Sequence, residues 1–179
     1  MMRYAVLYAS STGNTKAVAE AVAAALPAGE VRLEAIGPDT PVPAEETVFV
    51  GFWTDKGLCP QDVQSLLQKL GGRRVALFGT AGFGVSQAYF DAIAQRTEAL
   101  LPEDCTLLGS WMCQGRMPAA VRRRYVGMAH EHPDDTKIAG FLANFDHALS
   151  HPDEQDLARA AEFARDIVNR QQRTTAQPL

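Results

Sequence analysis

Three short runs, Tyr4 to Ala9 (YAVLYA), Thr47 to Phe52 (TVFVGF) and Arg74 to Phe78 (RVALF), are apolar on nearly every residue rather than on alternate ones. A strand with one wet face alternates, so a strand without alternation needs both faces covered. Each run is followed at some distance by a helix-sized segment. Asn14 to Leu26 sets Val18, Ala21, Val22, Ala25 and Leu26 on one helical face, and Pro60 to Leu70 and Gln87 to Leu101 read as further helices. Val31 to Ile36 and Thr106 to Met112 add two strands, and a long helix from Asp153 to about Gln171 closes the pattern. Strands and helices in alternation predict an α/β fold, a three-layer doubly wound sheet of five parallel strands.

With 179 residues, 46% of them hydrophobic and 21% charged, the chain has the balance of one compact domain over residues 1–173, followed by a flexible tail at 174–179. A net charge of −4 argues against a nucleic-acid binder, although Arg122, Arg123 and Arg124 form a local basic cluster. The N-terminus has no secretory pattern and no run approaches a membrane span, so a cytoplasmic protein is expected. Cys59, Cys105 and Cys113 lack C-x-x-C spacing, which indicates neither a disulfide framework nor a zinc site.

The connection from Cys113 to Pro152 is far longer than an ordinary loop. It reads as an insertion or lid at 113–152 with short helices at Ala119 to Ala129 and Lys137 to Leu149.

In an open parallel sheet, ligands sit beyond the carboxyl ends of the strands. The loop after the first strand, Ser10-Ser11-Thr12-Gly13-Asn14-Thr15, carries hydroxyls and a glycine but no cation. Its amides open a helix, where the macrodipole favours an anion, so it is suited to a phosphate. The P-loop pattern is absent, the first loop lacks G-x-G-x-x-G, and no acidic residue ends the first or third strand. The plain alternative is that these residues only cap a helix. Two further loops bear on that choice: Phe52-Trp53-Thr54-Asp55-Lys56-Gly57 after the third strand and Gly79-Thr80-Ala81-Gly82-Phe83-Gly84 after the fourth. Both should emerge on the phosphate-loop edge and would suit a flat aromatic ring.

A hydroxyl-rich S-x-T-G-N-T loop, an aromatic loop after strand three and a glycine-rich loop after strand four together resemble the flavodoxin family. The resemblance implies strand order 2-1-3-4-5 with FMN at the switch point. It implies that Ser10, Ser11, Thr12, Gly13, Asn14 and Thr15 hold the FMN phosphate. Phe52, Trp53, Thr54, Asp55 and Gly57, with Thr80, Ala81, Gly82, Phe83 and Gly84, would then flank the isoalloxazine, Trp53 being the best stacking residue. Flavodoxins tune the flavin through a backbone carbonyl in the third-strand loop, a place that Gly57 would fill. The sequence also departs from the pattern. Flavodoxins are typically acidic around the flavin and carry a stacking tyrosine in the fourth-strand loop, where this chain has Gly82-Phe83-Gly84. Gly109 to Pro118 (GSWMCQGRMP) is more similar to a divergent group of bacterial flavodoxin-domain proteins.

Other residues have plainer readings. Cys59 and Cys113 read as small apolar fillers, His130 and His132 in HEHPDD as a solvated helix end, and Trp111 as core. Arg122 to Arg124 could meet an acidic partner or a substrate carboxylate, yet a charged helix face needs no function. The favoured function is an FMN-binding carrier shuttling electrons between redox partner proteins, a reductase and an acceptor, with no catalytic acid/base set required. The alternative is an FMN-dependent NAD(P)H, quinone or tetrapyrrole oxidoreductase that uses the 113–152 segment as a substrate lid.

Overall fold

A computed structural model describes residues 3–84 and 86–175 of the chain. Strands β1 (Tyr4–Tyr8), β2 (Val31–Ala35), β3 (Thr47–Trp53), β4 (Arg74–Ala81) and β5 (Thr106–Gln114) form one parallel sheet in the order β2-β1-β3-β4-β5. This is the order the resemblance implies. Helices α1 (Asn14–Ala24) and α6 (Glu154–Thr175) cover one face, and α2 (Gln61–Leu67) and α3 (Gln87–Glu98) the other.

The two cores explain why the strands do not alternate. Ala5, Leu7, Val48, Val50, Val75 and Leu77 point toward Val63, Leu66, Leu67 and Ile93. Their neighbours Tyr4, Val6, Phe49, Ala76 and Phe78 point the other way, toward Val18, Val22, Ala164 and Ile167. Side chains of a strand alternate between faces, so burial on both sides makes every position apolar. Between β3 and β4 the packing is reciprocal across one register: Gly51 pairs with Phe78 and Phe52 with Gly79, and a Cβ on either glycine would strike the opposite ring.

Element boundaries differ from the sequence expectation where pairing decides them. β4 runs on to Ala81 because Thr80 finds Trp53 on one side and Cys113 on the other. Thr80 and Ala81 therefore end a strand and do not begin a loop. In β5 a bulge between Leu107 and Gly109 shifts the register, so Met112 joins one core while Cys113 joins the other. α6 continues through Thr175, so the expected tail begins as helix, and residues 176–179 lie outside the described residues.

The 113–152 segment folds as two helices, α4 (Ala119–Glu131) and α5 (Thr136–Ala148), close to the expected spans. Asp135 caps α5, its Oδ1 accepting from the Lys137 amide at 2.9 Å. At the start of α6, Asp153 and Asp156 accept each other's backbone N–H groups at 2.8 and 2.9 Å, and His151 Nδ1 lies 2.6 Å from Asp156 Oδ2. Their close grouping is a reciprocal helix cap. Among the described residues no helix is long and apolar enough to cross a membrane.

Candidate functional site

The loops at the carboxyl ends of β1, β3, β4 and β5 surround a cleft of about 630 Å³. That lies within the roughly 300–1,000 Å³ typical of cofactor sites. A hollow of about 480 Å³ at the opposite sheet edge, beside Arg74, Thr106 and the end of α6, is away from these loops.

The first loop divides its labour. Gly13 takes a left-handed φ of +89° immediately before α1, which glycine alone adopts without cost. Ser10 Oγ accepts from the amides of Gly13 and Lys16 at 3.1 and 3.2 Å, so this hydroxyl shapes the loop. Helix geometry leaves the first-turn amides without intrahelical acceptors, and those of Asn14 and Thr15 remain for a ligand at the positive end of α1. Ser11, Thr12 and Asn14 line the cleft. Thr15 is fully buried, its Oγ1 2.9 Å from Thr80 Oγ1, so its side chain supports the loop from beneath. Ser10 thus satisfies the Lys16 amide in the first turn of α1. Asn14 Nδ2 donates to the Arg116 carbonyl at 2.8 Å and ties this loop to the chain leaving β5.

After β3, Trp53, Thr54, Asp55, Lys56 and Gly57 all line the cleft. Asp55 and Leu58 exchange backbone hydrogen bonds at 2.8 and 3.0 Å around Lys56 and Gly57, whose φ values are +50° and +82°. This is a two-residue hairpin turn with both central residues left-handed. Lys56 is the only described non-glycine residue with positive φ, a costly conformation held at the cleft edge. The Gly57 carbonyl accepts from Arg96 Nη1 at 3.2 Å. Thr54 donates through both N and Oγ1 to the Thr80 carbonyl, at 3.0 and 2.9 Å, joining this loop to β4. Phe52 is corrected: it is fully buried in the core opposite Gly79 and does not line the cleft. Its position inside β3 turns it away from the edge.

At the end of β4, Thr80, Ala81, Gly82 and Phe83 line the cleft, whereas Gly84 does not. Gly84 sits against Gln114, and its amide donates to Asn144 Oδ1 at 3.4 Å. The Gly82 carbonyl accepts from both Gln114 Nε2 at 3.0 Å and Asn144 Nδ2 at 3.1 Å. Gln114 Nε2 also reaches Asn144 Oδ1 at 3.1 Å, and Gln114 Oε1 is 2.9 Å from His147 Nδ1. Helix α5 therefore braces the glycine-rich loop through buried Gln114.

Several lining residues were not singled out from the sequence: Tyr89 at the start of α3, and Arg116, Met117, Val121 and Tyr125 on or before α4, where Arg124 of the basic cluster also lines the cleft. Val121 and Tyr125 are four apart, so they share a helix face, which is the signal that could have found them. The Phe83 ring packs edge-on to Phe141 at 5.8 Å and to Tyr89 at 6.4 Å, and Tyr125 lies 5.3 Å from Phe141. Phenol rings thus reach the cleft from two helices, in a chain whose fourth-strand loop carries no tyrosine. Lys56, Arg116 and Arg124 face Asp55 around the cavity, an excess of positive charge. Cys59 and Cys113 are buried away from it, and burial pushes both thiols up, Cys59 to about 11. His130 and His132 are exposed at the end of α4, and Trp111 packs half-buried against the α6 side of the core.

The flavodoxin domain family matches residues 5–165. Two proteins named flavodoxin-like domain-containing protein BilS are similar over nearly their whole length. The one from Clostridium symbiosum is 38% identical, covering 90% of this chain and 94% of the relative. The one from Clostridioides difficile is 33% identical, covering 93% and 97%. Oxidised Flavodoxin 2 from Bacillus cereus superposes with a TM-score of 0.62 at 18% identity, covering 94% of this chain and 99% of that one. A flavodoxin from Streptococcus pneumonia TIGR4 gives 0.60 at 15%, covering 93% and 98%. At such identities these structures bear on the fold alone. The family match runs through residues 113–152, so nothing in it sets that segment apart as an insertion. By its sequence match and its fold, the chain belongs to the flavodoxin domain family.

Proposed function

We propose that the protein binds FMN in this cleft and works as an electron-transfer protein, passing electrons between a reductase and an acceptor protein. Membership of the flavodoxin family supports FMN as cofactor and a redox role. The observation that carries the site assignment is convergence. Ser11, Thr12 and Asn14, then Trp53 to Gly57, then Thr80 to Phe83, come from three separate loops yet line one cavity of cofactor size.

The residues fit the group. Ser11 and Thr12 hydroxyls with the amides at the start of α1 would hold the phosphate, while Ser10 and Thr15 keep the loop in shape. Trp53 and Phe83 offer apolar walls for a flat ring, and the Asp55–Leu58 turn presents backbone polar groups beside them. FMN when bound supplies the electron-accepting chemistry; the chain orients it and sets its polar surroundings. Residues 3–175 would act as one domain, α4 being a wall of the same site with α5 packed against it.

That wall favours a second reading. Arg116, Val121, Arg124 and Tyr125 line the cleft together with the loops, so a small substrate of an FMN-dependent oxidoreductase could sit beneath α4. One measurement tests the FMN site and a second separates the carrier from the enzyme. Titration of cofactor-free protein with FMN, FAD and riboflavin should give tightest binding for FMN, and equal affinity for riboflavin would remove the phosphate role of residues 10–15. Anaerobic stopped-flow reduction by NADH and NADPH should be slow alone and fast with a flavoprotein reductase. Rapid, saturable direct reduction would replace the carrier by the enzyme.

A further inference from the structure

Residues 114–126, which leave β5 and begin α4, contain four arginines and no carboxylate, in a chain whose net charge is −4. Subtracting this segment's +4 from −4 leaves −8 for the remainder, so the molecule is strongly asymmetric in charge. The positive charge is concentrated at the cleft. Arg116 and Arg124 line the cleft, and Arg122 and Arg123 lie exposed on the adjoining surface of α4 beside Ala119 and Val126. Lys56 adds a further cation on the opposite lip, and Arg96 is held beside it at the Gly57 carbonyl.

Little opposes this charge locally. Asp146 on α5 pairs with Arg122 at 3.4 Å, both side chains being half exposed. Asp55 is the one carboxylate lining the cleft among the described residues, and it forms no ion pair there. Among the described residues, Arg116, Arg123 and Arg124 have no carboxylate within salt-bridge distance. Glu131, Asp134 and Asp135 gather at the far end of α4. At about 1.5 Å of rise per residue Glu131 lies more than a physiological Debye length of roughly 8 Å from Arg123 along the helix axis, and Asp134 and Asp135 follow in the turn beyond the helix end.

Resting on the electron-transfer reading above, we infer that the 114–126 wall with the Lys56 lip is a docking face for a redox partner whose own surface is acidic. A local field of one sign around a cleft, on a molecule of opposite net sign, orients an encounter as well as speeding it. The small exposed side chains Ala119 and Ala120 beside the arginines let a partner surface approach closely.

Two experiments test this independently. In the first, the FMN-loaded, fully reduced protein is mixed with rubredoxin, a small acidic iron protein, or with cytochrome c, a basic haem protein; each accepts one electron, so two equivalents reoxidise one cofactor. Arg123→Glu, and Arg122→Glu with Arg123→Glu, lie outside the cleft lining and replace exposed residues. At low salt the double variant should slow rubredoxin reduction by about tenfold and accelerate that of cytochrome c, both differences vanishing near 0.5 M salt. Equal rates for wild type and both variants at low salt would overturn the assignment. In the second, the paramagnetic anion hexacyanochromate(III) is added to cofactor-free protein and amide resonances are followed. Broadening should concentrate at Gly115 to Val126 and near Lys56, and fall in Arg123→Glu. Broadening confined to the arginines of α6 would sink the docking face. A protein that fails to take up FMN would end the electron-transfer reading alone, because this map needs no cofactor.

Discussion

The hydroxyls of Thr15 and Thr80 lie 2.9 Å apart, both in fully or nearly fully buried residues, and join the start of α1 to the end of β4. Side chains 65 residues apart in sequence are thereby committed to each other beneath the cleft. Thr15→Val would leave the Thr80 hydroxyl without this partner and should lower stability by about 1–3 kcal/mol with only a modest effect on FMN affinity. Thr12→Val, at an exposed lining residue, should do the reverse. Denaturant melts and FMN titrations of the two variants check the contrast, and an FMN affinity more damaged by Thr15→Val would refute it.

Gly79 leaves room for the Phe52 ring, and Gly51 for the Phe78 ring. An added methyl at Gly79 meets both Phe52 and the Met112 methyl, so the ring cannot simply shift into free space. Gly79→Ala should cost about 1–3 kcal/mol by overpacking. If its urea midpoint matches wild type, the β3–β4 packing described above is wrong.

The Gly82 carbonyl is held by Gln114 and Asn144 together. Asn144→Ala removes one of these donors and the acceptor for the Gly84 amide, so residues 82–84 should open more often while the sheet stays intact. Hydrogen exchange at Gly82 and Gly84 should quicken several-fold, and FMN should bind more weakly because a lining loop must be ordered on binding. Unchanged exchange would show that α5 is no brace.

Burial pushes the Cys59 thiol up to about 11, from an ordinary thiol near 9, and Cys113 higher still. A thiol whose folded value is raised contributes stability that is present below the unfolded value and declines as pH rises through the folded one. Stability should therefore fall between about pH 9 and 11, and Cys59→Ser or Cys59→Ala should flatten that decline. Cys105 is half-buried, its thiol pushed up by burial and by Asp104. Thiol labelling at pH 8 should modify Cys105 first and the buried Cys59 and Cys113 only after it; labelling of either buried thiol ahead of Cys105 would contradict the burial.

The sequence by itself determined the sheet. Non-alternating apolar runs separated by helix-sized amphipathic segments admit few arrangements, because each strand must be covered on both faces. It also marked the loops that meet at the cleft, since S-x-T-G-N-T, Trp53 to Gly57 and the glycines after β4 carry local chemistry that survives any neighbour. Tertiary structure decided which side chains of those loops face the cavity. Phe52 turned inward because β3 continues past it and Gly79 opens a space for its ring. Thr15 found Thr80, and Gly84 found Asn144, through pairings that no local pattern encodes. Arg116, Arg124 and Tyr125 became cleft residues only when α4 folded back over the ends of the strands. Strand and helix identity follow from periodicity along the chain, whereas the facing of a residue at an element's end depends on how far its neighbour's ladder extends and on what packs across from it.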